Sequence, residues 1–421
     1  MAEAERKGAA RSLGSNLPLE GVRVFDLTRV IAGPYCSMML ADLGADVIKI
    51  EEPRHGDELR WVGRYKGRAA HDEDYFYASN RSKRSVGLNL KDPEHLGAAL
   101  ELIVRSDILV ENFSPGVMER LGLGWKKVSE VNPKLVYCSI SGFGQQGPAR
   151  SRLALDPIIQ AVSGIMSATG EPDGAPMQVG APIADVISGM FGAYTVIAAL
   201  YAARETGRGR YIDISMQDAM LAVLGPRMGE ALQAGRNPAR HGNGNPMRVP
   251  ANSYKASDGK YVAIIVQNDN HWPAFCKAID RLDLLEAPEY AKMSGRVKHR
   301  AFLDELVRKV FARRSSDTWA QILAANRVPF AVVNSYIDAL ADEQVRYRGL
   351  VREVVHSASG KIRVVGPPWI MPDTHLEPAA PPRLGEHTRE ALKEWLGWDE
   401  ERVARFTNGN EQSAVRADAS N

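Results

Sequence analysis

The first 220 residues alternate between short apolar runs and longer segments in which apolar residues recur at helical spacing. One longer segment opens with Asp92-Pro93-Glu94, which supplies a helix N-cap, a first-turn proline and a first-turn acid in order. Repeated strand–helix units of this length predict an α/β domain whose parallel sheet is covered by helices on both faces. The predicted strands are residues 22–27, 46–51, 107–113 and 134–141.

The pattern changes near Leu221, where a segment rich in Gly, Asn, Pro and Arg predicts a linker. Beyond it, Asp258-Gly259 predicts a hairpin turn and helical segments follow, as expected of a smaller α+β domain. Both ends of the chain are polar and predict disordered tails. The predicted segments are a tail at 1–17, a large domain at 18–220, a linker at 221–245, the small domain at 246–330, a return to the large domain at 331–400 and a second tail at 401–421.

Composition and charge narrow the class of protein. The chain has 53 Lys and Arg against 51 Asp and Glu and lacks a long basic tract with aromatics, so nucleic acid is not an expected partner. The apolar stretch 186–203 is interrupted by serine, glycine and threonine, so it predicts a buried helix and no membrane span. Three separated cysteines and a polar start predict a cytoplasmic protein without a disulfide framework.

Two common kinds of site are not expected. No two histidines have the i, i+4 spacing of a helical zinc pair and no Cys-x-x-Cys occurs, so no metal site is predicted. Residues 142–147 fit Gly-x-Gly-x-x-Gly, but a polar, irregular segment follows where a dinucleotide site needs a helix. We interpret these glycines as a turn with close backbone approach, which disfavours a nicotinamide oxidoreductase.

Asp185 is the most informative acid in the chain. It follows a turn-rich segment and stands directly before the apolar helix, so its position has two explanations. As a helix N-cap it would accept backbone N–H bonds at the positive end of the helix, which is the more frequent role at such a position. The same position keeps a carboxylate ionised at neutral pH, and in a dry cleft that carboxylate can attack a thioester carbonyl as a covalent nucleophile.

Six different segments follow one another along the chain. They are residues 19–34, Leu43-Gly-Ala-Asp-Val-Ile-Lys-Ile-Glu51, Asn80-Arg-Ser-Lys-Arg-Ser85, Val110-Glu-Asn-Phe-Ser-Pro-Gly116, residues 205–218 and Leu384-Gly-Glu-His-Thr388. Together they resemble the class III CoA-transferase family, which includes formyl-CoA transferase, with the 2-methylacyl-CoA racemases as relatives. The resemblance covers residues 18–396 and rests on the order of all six segments.

The resemblance implies a fold and an activity. The fold is an interlocked homodimer, in which a Rossmann-like large domain is built from both ends of the chain and the small domain lies between. The activity is transfer of CoA from an acyl-CoA to a carboxylic acid, without a metal or redox cofactor. Residues 27–34 look like those of dicarboxylate-using relatives, so succinyl-CoA or a similar dicarboxylyl-CoA is the expected donor.

The resemblance also implies roles for individual positions. Asp185 matches the family's nucleophile. The reaction would then pass through an aspartyl anhydride and an aspartyl-CoA thioester. Ala32 matches a residue that lines the pocket beside the thioester. The positions expected to contact CoA are Ala32, Leu88, Lys91, Asn112, Phe113, Ser114, Arg120 and Asp156.

Several positions depart from the pattern of formyl-CoA transferase. Ile31 stands where that enzyme has an active-site Gln, and Glu52 stands where it has a CoA-contacting Arg. Arg152 is a candidate to supply the lost cation. Gly242 and Gly244 match the mobile active-site loop without its four-glycine run. These changes argue against formyl-CoA or oxalate specificity.

Further contacts to the substrate are expected at Arg29, Ile31, Gly142, Gly242 and Gly244. Arg29 either pairs with the distal carboxylate of an acid or forms a structural salt bridge. Backbone N–H groups near Gly142 or near Gly242 and Gly244 are expected to stabilise the oxyanion. Ile31 is expected to line the same pocket.

Three rival functions stay open on the sequence: an acyl-CoA racemase, a nicotinamide oxidoreductase and a CoA-binding protein without turnover. Racemases of this family pair the aspartate with a histidine directly before the acid that is Asp156 here, and this chain has Leu155. Proton exchange at an α-carbon needs two opposed acid/base groups, so a racemase is disfavoured.

Overall fold

The computed structural model describes residues 16–62, 74–374 and 377–407. Its strands are β1 (Arg23–Leu27), β2 (Asp46–Glu51), β3 (Arg84–Gly87), β4 (Ile108–Glu111), β5 (Val136–Ser141), β6 (Arg210–Ser215), β7 (Ala251–Lys255), β8 (Tyr261–Ile265), β9 (Phe330–Val332), β10 (Val351–His356) and β11 (Gly360–Val365). Its helices are α1 (Ala32–Asp42), α2 (Asp74–Asn80), α3 (Pro93–Val104), α4 (Val117–Arg120), α5 (Trp125–Val131), α6 (Asp156–Val162), α7 (Ile165–Ala168), α8 (Ile183–Thr206), α9 (Met216–Val223), α10 (Met228–Ala234), α11 (Trp272–Ala278), α12 (Asp283–Glu286), α13 (Met293–Lys298), α14 (Arg300–Phe311), α15 (Ser316–Ala325), α16 (Tyr336–Ala341), α17 (Glu343–Tyr347) and α18 (Thr388–Leu396).

Six parallel strands form the central sheet in the order β3-β2-β1-β4-β5-β6. The four strands expected from the sequence are β1, β2, β4 and β5, so the α/β class is confirmed. The sequence pattern misses β3 and β6 at the sheet edges, because β3 contains one large apolar residue, Val86, and β6 is largely exposed. In this strand order the connections reverse direction between β1 and β4, which is where ligands bind in such sheets.

Two smaller antiparallel sheets complete the strands. One contains β7, β8 and β9, and the turn between β7 and β8 holds the predicted Asp258-Gly259 pair. The other is the hairpin of β10 and β11. The first sheet packs with the helices around it into a core that includes Tyr254, Phe275 and Trp319.

The described chain divides into two compact units. Unit 1 contains the residues up to Ser163, Gly180–Gly225 and the residues from Tyr347 onward, and unit 2 contains Gly164–Val179 and Pro226–Arg346. The observed boundaries differ from the predicted ones, because unit 2 extends beyond residue 330 and includes a separate segment before α8. The predicted linker at 221–245 contains a helix, α10.

The predicted C-terminal tail at 401–421 also begins too early. Residues 400–407 are helical. Val403 and Phe406 are buried in the unit 1 core, together with Trp395 and Trp398. These apolar side chains are separated by polar residues in the sequence, so the pattern did not predict a buried helix here. Residues 1–15 and 408–421 of the two predicted tails lie outside the described residues.

Helix α8 packs against α1 and the sheet of unit 1. By length and composition it could also cross a bilayer, but buried helices of globular proteins pass the same test. Its glycines permit a close approach, since a Cβ at Gly189 would lie 2.6 Å from the carbonyl oxygen of Ala32. A Cβ at Gly192 would lie 3.1 Å from the sulfur of Cys36. Large side chains at these positions would therefore push α8 away from α1.

Replacing Gly189 with alanine is expected to lower the free energy of unfolding by about 1–3 kcal/mol, because the added methyl group overpacks the contact with α1. Gly97→Ala in α3 is the matched control, since a Cβ there meets nothing within 4 Å. Alanine favours a helix over glycine by up to about 1 kcal/mol, so the control should be neutral or stabilising. Urea denaturation of both variants measures the difference, and an unchanged midpoint for Gly189→Ala would show that the helices tolerate the added methyl group.

Candidate active site

The turn between β1 and α1 is held in place by buried charges. Asp26, at the end of β1, accepts hydrogen bonds from the backbone N–H of Thr28 (2.8 Å) and from the hydroxyl of Ser37 (2.6 Å). The ammonium of Lys83 lies 3.1 Å from the same carboxylate, and both side chains are fully buried. Burial alone would raise the pKa of Asp26, but Lys83 and Lys49 outweigh it and hold that pKa below its usual range.

A second buried pair holds the next residues of the turn. Lys49 donates to the carbonyl of Thr28 (2.7 Å) and lies 2.9 Å from the carboxylate of Asp57. Asp57 in turn accepts the backbone N–H of Val30, at 3.2 Å from either oxygen. Val30 has φ +64°, a left-handed conformation that is unfavourable for a β-branched residue. The buried pair therefore fixes a strained residue directly before α1.

Asn112 joins this turn to β4. Its side-chain oxygen accepts the N–H of Arg29 and its amide donates to the carbonyl of Arg29, both at 2.8 Å. The guanidinium of Arg29 pairs with the carboxylate of Glu58. The structural salt bridge expected as one role of Arg29 is thus what the structure shows, and Asn112 acts here on the backbone of the neighbouring loop.

Asp185 is in the first turn of α8 and does not cap it. The N-cap residue is Pro182, and the carboxylate of Asp156 accepts the N–H groups of Ala184 (2.7 Å) and Asp185 (3.2 Å). The amide of Gln160 donates to the other oxygen of Asp156 at 2.6 Å. The N-cap explanation for Asp185 is therefore wrong, because an acid 29 positions earlier satisfies the start of the helix.

The carboxylate of Asp185 is consequently left for chemistry. Among the residues that the structure describes, no group donates a hydrogen bond to it. Burial, together with the negative charge of Asp156, raises the pKa of Asp185 to about 7. The expectation of a fully ionised carboxylate at neutral pH needs correction, because the N–H groups that would have stabilised the charge go to Asp156. A desolvated carboxylate is a stronger nucleophile once it is ionised.

A cavity of about 190 Å³ lies beside Asp185, within unit 1. It brings together residues from the ends of β1, β4 and β5, the start of α1 and the loop before α6. Of the positions singled out in the sequence, it is lined by Ile31, Ala32, Asn112, Phe113, Ser114, Gly142, Arg152, Asp156 and Asp185. Arg150, Leu153, Leu155 and Met216 also line it.

A second cavity of about 390 Å³ lies at the carboxyl ends of β1, β2 and β3. Its apolar surface includes Leu27, Ile50 and Leu88, and Phe113 lines this cavity as well as the first. Its basic residues are Arg29, Arg54, His55 and Lys91. Glu51, Glu52 and Asp57 also line it, so among the described residues Lys91 is its one basic group without an ion pair. An apolar surface beside this lysine suits a ligand with an aromatic base and a phosphate.

Glu52 has a structural role at the rim of this second cavity. Its carboxylate accepts the side chain of Arg54 (3.0 Å) and the backbone N–H of His55 (2.9 Å). Burial would raise the pKa of Glu52, but the hydrogen bonds from Arg54 and His55 hold it below its usual range. Neither Arg54 nor His55 was assigned a CoA contact from the sequence. Arg152, the candidate substitute cation, lines the first cavity.

The remaining predicted positions are placed as follows. Arg120 is the last residue of α4 and does not line either cavity. Gly142 is in close contact with Ala154, since an added Cβ would lie 2.1 Å from the Cβ of that residue. Gly242 and Gly244 belong to unit 2, where the N–H of Gly242 donates to the carbonyl of Gly170. Their role at the active site stays a prediction.

The glycine-rich loop after β5 does not open a helix. Residues 147–152 form turns, and the next helix, α6, begins at Asp156. Backbone N–H groups at a helix start are what hold a dinucleotide pyrophosphate. The loop therefore lacks the feature that a nicotinamide site needs. Within the described ranges, no group of three or more His, Cys, Asp or Glu side chains could hold a metal ion.

A third cavity of about 530 Å³ lies at the amino ends of the strands, opposite the first two cavities. It is lined by the start of β2 and β3, and Arg84 at its wall is paired with Asp46, Glu390 and Glu394. Ligands of parallel sheets bind at the carboxyl ends of the strands, so we place the active site at the two cavities that share Phe113.

The fold thus places the carboxylate of Asp185 in a small cavity, next to a larger cavity at the carboxyl ends of the strands. A model of CoA-transferase family III matches residues 19–388, so the chain belongs to this family. It is a class III CoA-transferase, and the resemblance seen in the sequence is confirmed.

Relatives of known activity cover nearly the whole chain. Mouse (Mus musculus) succinyl-CoA:glutarate CoA-transferase is 36% identical over 91% of this chain and 87% of the relative. Succinyl-CoA:mesaconate CoA-transferase of Haloarcula marismortui is 36% identical over 89% of this chain and 96% of the relative. The crystal structure of a CaiB/BaiF family protein from Brucella suis is 33% identical, with a TM-score of 0.82 over 90% of this chain and 100% of that chain.

Replacing Lys49 with methionine is expected to lower the free energy of unfolding by about 3–5 kcal/mol, because it leaves the buried carboxylate of Asp57 without its cation. The matched control is Lys361→Met, which breaks an ion pair with Glu353 whose side chains are 73% and 57% exposed. Exposed pairs contribute little, so the control should unfold at the wild-type midpoint. Equal denaturation midpoints for the two variants would show that the buried pair does not stabilise the turn.

Proposed function

We propose that the enzyme moves CoA from succinyl-CoA, or a similar dicarboxylyl-CoA, to a carboxylic acid. The observation that carries this proposal is the carboxylate of Asp185, which has no hydrogen-bond donor among the described residues and lies beside a small cavity. The relatives named for glutarate and mesaconate transfer are named for succinyl-CoA as well, which supports the choice of donor.

The reaction proceeds through covalent intermediates on Asp185. Its carboxylate attacks the thioester carbonyl of the donor, the C–S bond breaks, and a mixed anhydride and CoA thiolate form. The thiolate attacks the aspartyl carbonyl, which gives an aspartyl-CoA thioester and releases the donor acid. The acceptor carboxylate then attacks the carbonyl of this thioester, which expels CoA thiolate and forms a second mixed anhydride. The thiolate attacks the acceptor's acyl carbon in this anhydride, the C–O bond to Asp185 breaks, and the acceptor's CoA thioester and free Asp185 form.

The start of α1 is suited to stabilise the oxyanion of these steps. The first N–H groups of a helix have no intrahelical partner and lie at its positive end. Ala32 is the first residue of α1, and it lines the same cavity as Asp185. We assign its N–H to the oxyanion, with Gly142 as the further candidate on the cavity wall. The buried charge pairs around Val30 hold this helix start in position.

The cavity of about 390 Å³ is proposed to hold the nucleotide end of CoA. The part-buried Leu90, Phe113 and Leu121 offer an apolar surface for the adenine, and the exposed Lys91 offers a cation for phosphates. Phe113 lines both cavities, so a CoA bound here can extend its thioester toward Asp185.

Water must be excluded from this site, because both the anhydride and the aspartyl thioester hydrolyse. Leu153 is 85% exposed and Leu155 is 68% exposed at the cavity wall. The proposed homodimer would cover such residues with a second chain. Exposed Met190, Tyr194 and Tyr201 on α8 support an apolar interface of this kind.

A racemase stays disfavoured on the geometry as well. Leu155 precedes Asp156 where racemases have a histidine. Asp156 cannot serve as the second base while it accepts the N–H groups of Ala184 and Asp185. Proton exchange needs a second free acid/base group.

Replacing Asp185 with alanine should abolish CoA exchange, with a loss of roughly 10³-fold or more, because the covalent path needs its carboxylate. CoA binding should stay close to wild type, since the 390 Å³ cavity does not include Asp185. Mass spectrometry of acyl-CoA donors against a panel of acids measures exchange, and equilibrium dialysis measures binding. Asp317→Ala, an exposed acid in unit 2, is the control. If the Asp185→Ala protein retained CoA exchange, that result would contradict the proposal.

The rate should depend on pH through Asp185. With its pKa raised to about 7 by burial and Asp156, kcat/KM for the acyl-CoA should rise with pH below 7 and level off above it. Asp156→Asn removes the neighbouring negative charge but keeps an oxygen for the helix N–H groups, so it should move the midpoint to lower pH. A midpoint that is the same in both proteins would show that another group controls the rate.

A further inference from the structure

Two arginines line the cavity of Asp185 without a carboxylate partner. Arg150 and Arg152 both border it, and neither forms an ion pair with any acid in the described part of the chain. The arginines at the second cavity differ, since Arg29 pairs with Glu58 and Arg54 pairs with Glu52. An arginine without an acid partner beside a reactive carboxylate is available to a ligand.

Arg152 is the one whose guanidinium is oriented by a contact within the cavity. Its central carbon lies 5.2 Å from the ring centroid of Phe143, which also lines the cavity. Such a cation–π contact holds the guanidinium plane and leaves its N–H groups exposed. The planar fork of a guanidinium matches the two oxygens of a carboxylate.

The rest of the cavity limits what such an arginine can bind. At about 190 Å³ it is smaller than the roughly 300–1,000 Å³ of sites for drug-sized ligands. Ile31, Leu155 and Met216 also line it and give it apolar walls. These features fit a short acid with an apolar middle and a charged group at its far end.

We infer that Arg152 binds the distal carboxylate of a dicarboxylic acid while the other carboxyl group reacts at Asp185. The inference rests on the proposed transfer function and names the substrate class of that same site. It assigns Arg152 to the acid, although the sequence suggested it as a substitute for a lost CoA contact. Arg152 lines the Asp185 cavity, whereas Arg54 and His55 line the proposed CoA cavity.

The test compares glutarate with pentanoate, which has the same chain length and lacks the distal carboxylate. Isothermal titration of each acid into the CoA-loaded protein measures binding, and turnover with succinyl-CoA measures transfer. Arg152→Gln should weaken glutarate binding roughly 10- to 100-fold, the range of a charge-assisted hydrogen bond, and leave pentanoate binding unchanged. Arg152→Lys should recover part of the loss, since it keeps the charge.

The control is Arg314→Gln, because Arg314 also lies over an aromatic ring, that of Trp319 at 5.6 Å, but belongs to unit 2. It should keep the wild-type preference for glutarate. An Arg152→Gln protein that keeps this preference would overturn the inference, as would loss of the preference in Arg150→Gln alone. A wild type that prefers glutarate in binding but transfers no CoA would overturn the proposed function and support the binding role of Arg152.

Discussion

The turn between β1 and α1 depends on buried charges that are paired with one another. Removing Lys49, Lys83, Asp26 and Asp57 from water is costly, and the cost is offset only because each group meets an opposite charge and further hydrogen bonds. The same contacts occupy backbone groups of the turn and hold Val30 in a left-handed conformation. The start of α1 is thereby fixed at the point where the sheet order reverses.

The active site follows from where a second helix meets this fixed start. Gly189 lets α8 approach the backbone of Ala32, so the first turn of α8 shares a cavity with the first residue of α1. Asp156 accepts the N–H groups at the start of α8, and the carboxylate of Asp185 receives no hydrogen bond from the described residues. Asp156 thus caps α8, and the carboxylate of Asp185 is not needed for that role.

Much of the fold was determined by sequence alone. Strands β1, β2, β4 and β5 are buried on both faces, so each is a short apolar run that the pattern reveals directly. The apolar stretch 186–203 predicts most of α8 as a buried helix. The order of six short segments identified the family. The role of Asp185 as the nucleophile is what that resemblance implies, and it stays a prediction.

The tertiary structure decided what depends on contacts between distant positions. No local pattern could show that Asp156 would cap α8, or that Glu52 would hold Arg54 and His55 at the rim of a cavity. The edge strands β3 and β6 were missed because one contains a single large apolar residue, Val86, and the other is too exposed to show an apolar run. Sequence therefore identified the candidate nucleophile and most of the central sheet. Folding decided the pKa of Asp185, through burial and the charge of Asp156, and it brought Arg150 and Arg152 to the same cavity, because these effects depend on positions that meet only in the folded chain.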